Sequence, residues 1–234
     1  MRILIFGPGR VGVSVNAYAQ SLGHAATLIA RADEARANVG DADLIAAAIP
    51  DDALAAWFDR WRAALGGKRA IHFSGARVID GLPGYHPLYS FPAAPLLPAA
   101  FASIAIAREP GAAPFAEIMP GASNPEFIVN DEDRAFYHAL AVVSGNFAAH
   151  LWNEAAAAFA SRIDAPPADI MGNYFDSVVA RFRESPFASL TGPVARRDAA
   201  TIEANLAALA PFSQLQTLYG AFVASAWPDR PKGP

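Results

Sequence analysis

The sequence predicts an α/β domain built on a doubly wound parallel sheet, followed by an all-α domain. Three observations predict it. Short apolar runs alternate with helix-patterned stretches through the first part of the chain. A glycine-rich turn, Gly7-Pro-Gly-Arg-Val-Gly12, stands between the first such run and the first helical stretch. Past residue 130 the strand-like runs stop and only helical periodicity continues, so the domains are drawn as 1–130 and 131–234.

Ile3 to Phe6 form the first strand, and they run straight into Gly7. An apolar-leaning stretch from Val13 to Leu22 follows and stops at Gly23, giving strand, tight turn and helix. Gly7, Gly9 and Gly12 stand at the G-x-G-x-x-G spacing that opens a dinucleotide-binding unit. Gly7 permits the sharp turn, Gly9 lets a pyrophosphate approach the backbone, and Gly12 lets the helix pack close to the strand. The free N–H groups at the helix start, with the positive end of its dipole, would hold the phosphates. Pro8, Arg10 and Val11 belong to the same loop, and Arg10 either reaches a phosphate or stays solvated. A packing turn that binds nothing is the alternative.

Ala25 to Ala30 read as the second strand, ending at Arg31-Ala-Asp33. An acidic residue at this strand end would accept the ribose hydroxyls of NAD, whereas an arginine would pair with the 2′-phosphate of NADP. Arg31 comes directly after the strand and Asp33 two residues later, which favours NADP, with NAD the alternative. Asp43 to Pro50 form a third strand suited to a sheet covered on both faces. Asp51 and Asp52 are placed to cap a helix running to Leu65, with Leu54, Trp57, Phe58, Trp61 and Leu65 on one stripe. Ala70 to Ser74 form the next strand, in which His72 reads as a packing residue. Ligands of such sheets bind outside the carboxyl ends of the strands. Those ends are Gly7–Gly12, Arg31, Ile49-Pro50 and Ser74-Gly75. Ser74 would bond the nicotinamide ribose or a substrate, or simply cap a turn.

His86, in the loop after these ends, precedes a proline that restricts its backbone. An imidazole there is a candidate acid or base, since its ordinary pKa allows proton transfer near neutrality. Strands at Ala102–Ala107 and Glu126–Val129 are expected to complete the sheet. One long helix is expected from Asp131 to about Ile163, then helices over Pro167–Glu184, Asp198–Leu209 and Phe212–Ala226.

Composition narrows the chemistry. The chain has 234 residues, is 53% hydrophobic and carries a net charge of −4, which gives no electrostatic case for nucleic acid or an anionic membrane. It has no cysteine, so disulfides and thiolate catalysis are excluded. No His, Asp and Glu cluster has metal-ligand spacing, and no G-x-S-x-G element points to a serine hydrolase. A soluble cytoplasmic protein is expected, its first strand leaving no room for a signal peptide.

Several motifs resemble one family across nearly the whole chain. They are Gly-Pro-Gly-Arg-Val-Gly (7–12), Ile49-Pro-Asp-Asp52, His-Phe-Ser-Gly-Ala (72–76), His86-Pro87, Ser144-Gly-Asn146 and Thr-Gly-Pro-Val-Ala-Arg-Arg-Asp (191–198). They resemble the Rossmann-type oxidoreductases with an uncharacterised helical C-terminal domain, relatives of phosphogluconate, ketopantoate, pyrroline-carboxylate and prephenate dehydrogenases or reductases. The resemblance implies a nicotinamide-binding domain, a helical domain that forms homodimers, and a small-molecule substrate pocket between them. His86-Pro87 looks like the His-Pro element of prephenate dehydrogenases, whose histidine transfers protons. The segment from Gly145 to Asn153 is similar to a helix of phosphogluconate-type enzymes in which a lysine and an asparagine face the substrate. Here Asn153 matches the asparagine, while Ala149 stands at the lysine position, so His86, or His150, would have to take over proton transfer. Asn146 beside Gly145 is a second candidate amide, and Ser144 a candidate substrate contact. Arg196 is a candidate clamp for a substrate carboxylate. The expectation is an NADP-dependent oxidoreductase acting on a small keto, imino or hydroxy acid. The alternative, which the missing lysine favours, is a non-catalytic nucleotide-binding or redox-sensing protein.

Overall fold

The computed structural model describes residues 1–230, so the last four residues of the helical domain drawn from the sequence lie outside it. Its contacts fall into two compact units, Met1–Val143 and the chain from Ser144 onward.

In the first unit, β1 (Arg2–Phe6), β2 (Ala25–Ile29), β3 (Leu44–Ala47) and β4 (Arg69–His72) form a parallel sheet in the order β2-β1-β3-β4. β1, β3 and β4 bury every residue but Arg2 and Arg69 because both faces are covered, whereas β2, at the sheet edge, leaves Ala25 and Thr27 exposed. Ile3, Ile5, Leu44, Ala46 and Ile71 point into one buried cluster, with Val15, Tyr18 and Ala19 of α1 (Arg10–Ser21). Leu4, Phe6, Ile45, Ala47 and Ala70 point into the other, with Leu54, Trp57, Phe58 and Leu65 of α2 (Leu54–Leu65). The pleat alone sorts neighbouring residues into the two cores, each large side chain contributing about 1.5–3 kcal/mol on burial. Phe6 pairs with Ile29 on one side and Ala47 on the other, which brings the carboxyl ends of the three strands level.

Several expectations need correction. The helix drawn from Asp52 begins at Leu54 without a side-chain cap, because the Pro50 carbonyl accepts from the Ala53 amide and closes a turn over Asp51 and Asp52. The strand drawn over Ala102–Ala107 is split. α3 (Pro98–Ala102) has its proline at the first helical position, where the missing N–H costs nothing, and β6 (Ile106–Arg108) starts only afterwards. With β5 (Tyr85–Pro87) and β7 (Glu126–Ile128), β6 makes a second sheet of order β5-β6-β7, antiparallel then parallel. An isolated parallel bridge between His72 and Gly84 runs from β4 to the start of this sheet. A short α4 (Phe115–Ile118) links β6 to β7.

The single helix expected from Asp131 to Ile163 is a 3₁₀ turn, α5 (Arg134–Ala141), a π-helical stretch (Val142–Phe147) and α6 (Ala148–Arg162). Val142, Val143 and Gly145, all weak helix formers, sit where the winding widens. By their contacts the compact units divide at Val143–Ser144, and α5 is held in the first unit through Arg134, which is 1% exposed.

The second unit continues with α7 (Pro167–Glu184), α8 (Ala199–Ala208) and α9 (Ser213–Ala226). Asp198 caps α8 by accepting from the Thr201 amide at 3.1 Å and hydroxyl at 2.7 Å. Its core is small: Val194, Ile202, Val223 and Trp227. Neither α6 nor α7 buries a single residue fully. Among the described residues no helix is long and apolar enough to cross a membrane.

Candidate functional site

The glycine loop separates what the fold needs from what it does not. Gly7 has φ +101°, its amide donates to the Ile29 carbonyl at 3.0 Å, and a Cβ there would strike the Ala48 carbonyl. A Cβ on Gly12 would strike the Gly7 carbonyl. Both glycines are forced by close packing of loop, strand and helix. Gly9 is not. Its φ of −74° suits any residue, and a Cβ would meet nothing within 4 Å. It stands at the N-cap of α1, which has no side-chain cap and no acidic residue in its first turn. The first N–H groups of a twelve-residue helix are therefore bare of side-chain acceptors at a place that faces open space. Pro8 and Gly9 are exposed, and Val11 packs against the buried cluster. The Arg10 guanidinium leans on the Phe91 carbonyl at 3.5 Å.

Around this loop lie the other strand ends. Arg31 opens a 3₁₀ turn (Arg31–Arg36) directly after β2, is exposed, and makes no ion pair among the described residues. Asp33 lies in the same turn. Ile49 is half-buried against the second core cluster and Pro50 is exposed. Ser74 is buried, and its Oγ accepts from the Ala76 and Arg77 amides at 3.2 and 3.1 Å. The turn thus uses the hydroxyl oxygen as an acceptor, leaving Ser74 its proton to donate.

His86 is the middle residue of β5 and not, as expected, a loop residue. Its partner across β5 and β6 is Ala107, and its ring packs on Gly75, where a Cβ would come within 3.0 Å of it and 2.9 Å of the His138 ring. His86 Nδ1 is 2.7 Å from the Tyr137 hydroxyl. The Tyr137 ring meets His86 edge-on at 5.6 Å and Phe127 of β7 at 5.8 Å. Burial, then the charges of His138 and Arg134, push the His86 pKa down to about 4, with Asp51 pulling the other way. Burial raises Tyr137 to about 12. At neutral pH both groups are uncharged, so the sequence expectation that His86 exchanges protons near neutrality does not fit its buried setting.

Behind it, His72 is fully buried and its pKa is pushed down to about 4, by burial first and Arg134 second. Its Nδ1 accepts from the Ser74 amide at 3.1 Å, and its Nε2 is 3.8 Å from a Glu109 carboxylate oxygen. Glu109 accepts from the Gly84 amide at 2.9 Å, and burial raises its pKa. None of the guanidinium nitrogens of Arg134 has a hydrogen-bond partner, and burial lowers its pKa. Sequence reading singled out His86 and missed Tyr137, His138, Arg134 and Glu109. The available signal was three polar residues at i, i+3 and i+4 on the first turns of α5.

Ser144 and Asn146 fall in the π-helical stretch, a winding found often at functional sites. Ala149, His150 and Asn153 follow in α6, and Arg196 lies in the turn before α8. Ser144, Asn146, Asn153 and Arg196 are all exposed and belong to the second unit, not to the His86 cluster. Among the described residues no three His, Asp or Glu side chains gather as a metal site.

A family profile matches residues 103–226, and it is that of DUF2520, a domain of unknown function. The chain belongs to the DUF2520 family. This DUF2520 protein also shares its whole fold with solved structures. A Bacteroides fragilis protein provisionally assigned as an NADP oxidoreductase is 19% identical, with a TM-score of 0.70 over 96% of this chain and 97% of the other. Pyrroline carboxylate reductase from Plasmodium falciparum, solved with NADP bound, is 9% identical, with a TM-score of 0.61 over 97% and 95%. A reductive aminase from Aspergillus terreus, solved with NADPH and ethyl levulinate, is 17% identical, with a TM-score of 0.59 over 98% and 94%. At these identities the likeness is one of fold. It bears out the Rossmann-type first half and helical second half of the DUF2520 chain. No curated protein matches it.

Proposed function

We propose that this DUF2520 protein is an NADP-dependent oxidoreductase acting on a small keto, imino or hydroxy acid. The observation that carries the reading is Gly9. Packing demands Gly7 and Gly12 but not Gly9, whose bare α-carbon lies at the uncapped start of α1. A pyrophosphate fits that cradle, held by the helix N–H groups with Arg10 beside them. Arg31, exposed and without an ion pair among the described residues after β2, suits the 2′-phosphate. Ile49 and Pro50 would flank the cofactor, and the Ser74 hydroxyl would donate to its ribose. The nicotinamide supplies the hydride, while the protein binds, orients and excludes water. His86, packed on Gly75 at the end of β4, would face the substrate. Asn146, Asn153, Ser144 and Arg196 are the candidates for orienting the substrate and holding its carboxylate. The relatives solved with NADPH or NADP support the cofactor class.

The test is direct. NADPH and NADH are titrated into the protein by fluorescence, and keto, imino and hydroxy acids are then screened for cofactor turnover. Tight NADPH binding with turnover of any of these acids supports the reading. Absence of NADPH binding overturns it. Tight binding with no turnover across the panel supports instead a redox-sensing protein, the reading that Ala149 at the lysine position favours.

A homodimer through the helical half, in the cytoplasm, belongs to the same proposal. Ile170, Tyr174, Val178 and Phe182 form an i, i+4 ridge along α7 and are 47–66% exposed. An apolar hollow of about 420 Å³, lined by Phe147, Leu151, Leu218 and Phe222 among others, opens in the same unit. With so small a core of its own, this unit has apolar surface that a second copy would cover.

A further inference from the structure

We infer that Tyr137 is a positioning residue that fixes His86 as the Nε2–H tautomer, so that His86 offers a hydrogen-bond donor to a substrate carbonyl oxygen. This rests on the oxidoreductase reading for its substrate and on the structure for its tautomer.

The 2.7 Å approach of the Tyr137 hydroxyl to His86 Nδ1 can be shared in two ways. Either the hydroxyl donates to a bare Nδ1, or an Nδ1–H donates to the phenolic oxygen. A phenol is a stronger acid than a neutral imidazole N–H, and an imidazole nitrogen is a far stronger base than a phenolic oxygen. The O–H therefore donates to Nδ1, and the ring proton lies on Nε2. Neither partner can turn away easily. The His86 backbone is held in β5 against Ala107, and its ring is wedged on Gly75 beside His138. Tyr137 is held by Phe127 and by an α5 anchored at Arg134. Nε2 makes no hydrogen bond among the described residues.

Half-buried and flanked by His138 and Arg134, with only Asp51 favouring its charged form, the ring stays neutral at working pH. A neutral imidazole is a poor proton source but a good donor. Aimed at a carbonyl it steadies negative charge as that charge develops on oxygen. In the proposed reduction, hydride from the reduced nicotinamide, which would be oxidised in turn, would add to the carbonyl carbon while the π pair moves onto oxygen. That oxygen then takes a proton from solvent water, and His86 ends unchanged. A protonated imine has no lone pair to accept such a bond. The site thus selects keto acids over imines, and His86 differs from an acid/base histidine.

The test of the tautomer needs neither cofactor nor turnover. A two-bond proton–nitrogen correlation spectrum is recorded at neutral pH on protein with ¹⁵N-labelled histidine, and the His86 signals are identified by their loss in His86→Asn. The expected pattern is unprotonated Nδ1 and protonated Nε2. In Tyr137→Phe, which keeps the ring against Phe127, the tautomer ratio should fall about five- to tenfold, the bias one typical hydrogen bond gives. A protonated Nδ1 in the wild type overturns the inference, even if the variant does not fold. So does a Tyr137→Phe spectrum identical to the wild type. In the acid screen, faster turnover of protonated imines than of keto acids would also overturn it. If the spectrum is as expected but no acid is turned over, only the oxidoreductase reading fails.

Discussion

Gly12 stands so close to Gly7 that a methyl group on Gly12 would overlap the Gly7 carbonyl oxygen. Helix α1 is pressed onto the end of β1 at this point, and the loop between them has no freedom to widen. Gly9, midway between the two, has open space beside it. One motif therefore holds two kinds of glycine, and single substitutions separate them.

Gly7→Ala and Gly12→Ala are expected to lower stability by more than about 1 kcal/mol, Gly7 also because its φ is positive. Gly9→Ala should leave the urea midpoint within about 0.5 kcal/mol of wild type, as substitutions free of clash or strain usually do. It should nevertheless weaken NADPH binding at least tenfold. Unaltered NADPH affinity in Gly9→Ala would mean that the loop does not hold the pyrophosphate.

Arg31→Ala should cost NADPH roughly 1.5–3 kcal/mol of affinity, the worth of a charge-assisted hydrogen bond. NADH affinity should hardly change, since NADH has no 2′-phosphate to lose. Parallel titrations measure both, and an equal loss for the two cofactors would remove Arg31 from the phosphate site.

His72 sets an acid limit on the fold. Its folded pKa is about 4 against 6.5 when free, so between these values the unfolded chain takes up a proton that the folded chain refuses. Its stabilisation is complete above pH 6.5 and fades as pH falls toward 4, by roughly 3 kcal/mol in all. His86 slopes the same way, while Glu109, whose pKa burial raises, slopes against them. Urea midpoints across this range should therefore drop with acid, and His72→Gln should flatten the drop. A variant that keeps the full slope would show that His72 is not its source.

The ridge on α7 predicts association. Light scattering at micromolar concentration should give a dimer, and Tyr174→Glu with Phe182→Glu should give a monomer with the helical content unchanged. A wild-type monomer would sink the homodimer proposal.

What could be read in the chain follows from how local each signal is. The strands of the parallel sheet announce themselves by their apolar runs, most plainly Leu44–Ala47, which is buried on both faces. α7 follows the drawn bounds because prolines precede it and none interrupts it, Gly172 alone being a weak helix former within it. The glycine spacing located the loop but could not tell that Gly7 and Gly12 are packed while Gly9 is not, since Ala48 is far away in sequence. Of the three-residue strands, β7 falls within the stretch drawn for it and β6 overlaps its own, while β5 reads as a loop because three residues ending in proline show no period. Tyr137 and Arg134 escaped notice for a related reason. Their meaning comes from His86 and Glu109, distant in the chain, and a charged residue at a helix start ordinarily reads as solvated surface.

The single bridge between His72 and Gly84 is the only strand pairing recorded between the two sheets among the described residues. One sheet carries the glycine loop and Arg31; the other carries His86. The chain between the bridged residues, Phe73 to Pro83, links the two, and it is fastened at both ends: Phe73 is buried in one core cluster and Leu82 in the other. A change of length there would be felt in both cores at once, so the two sheets are bound to one register.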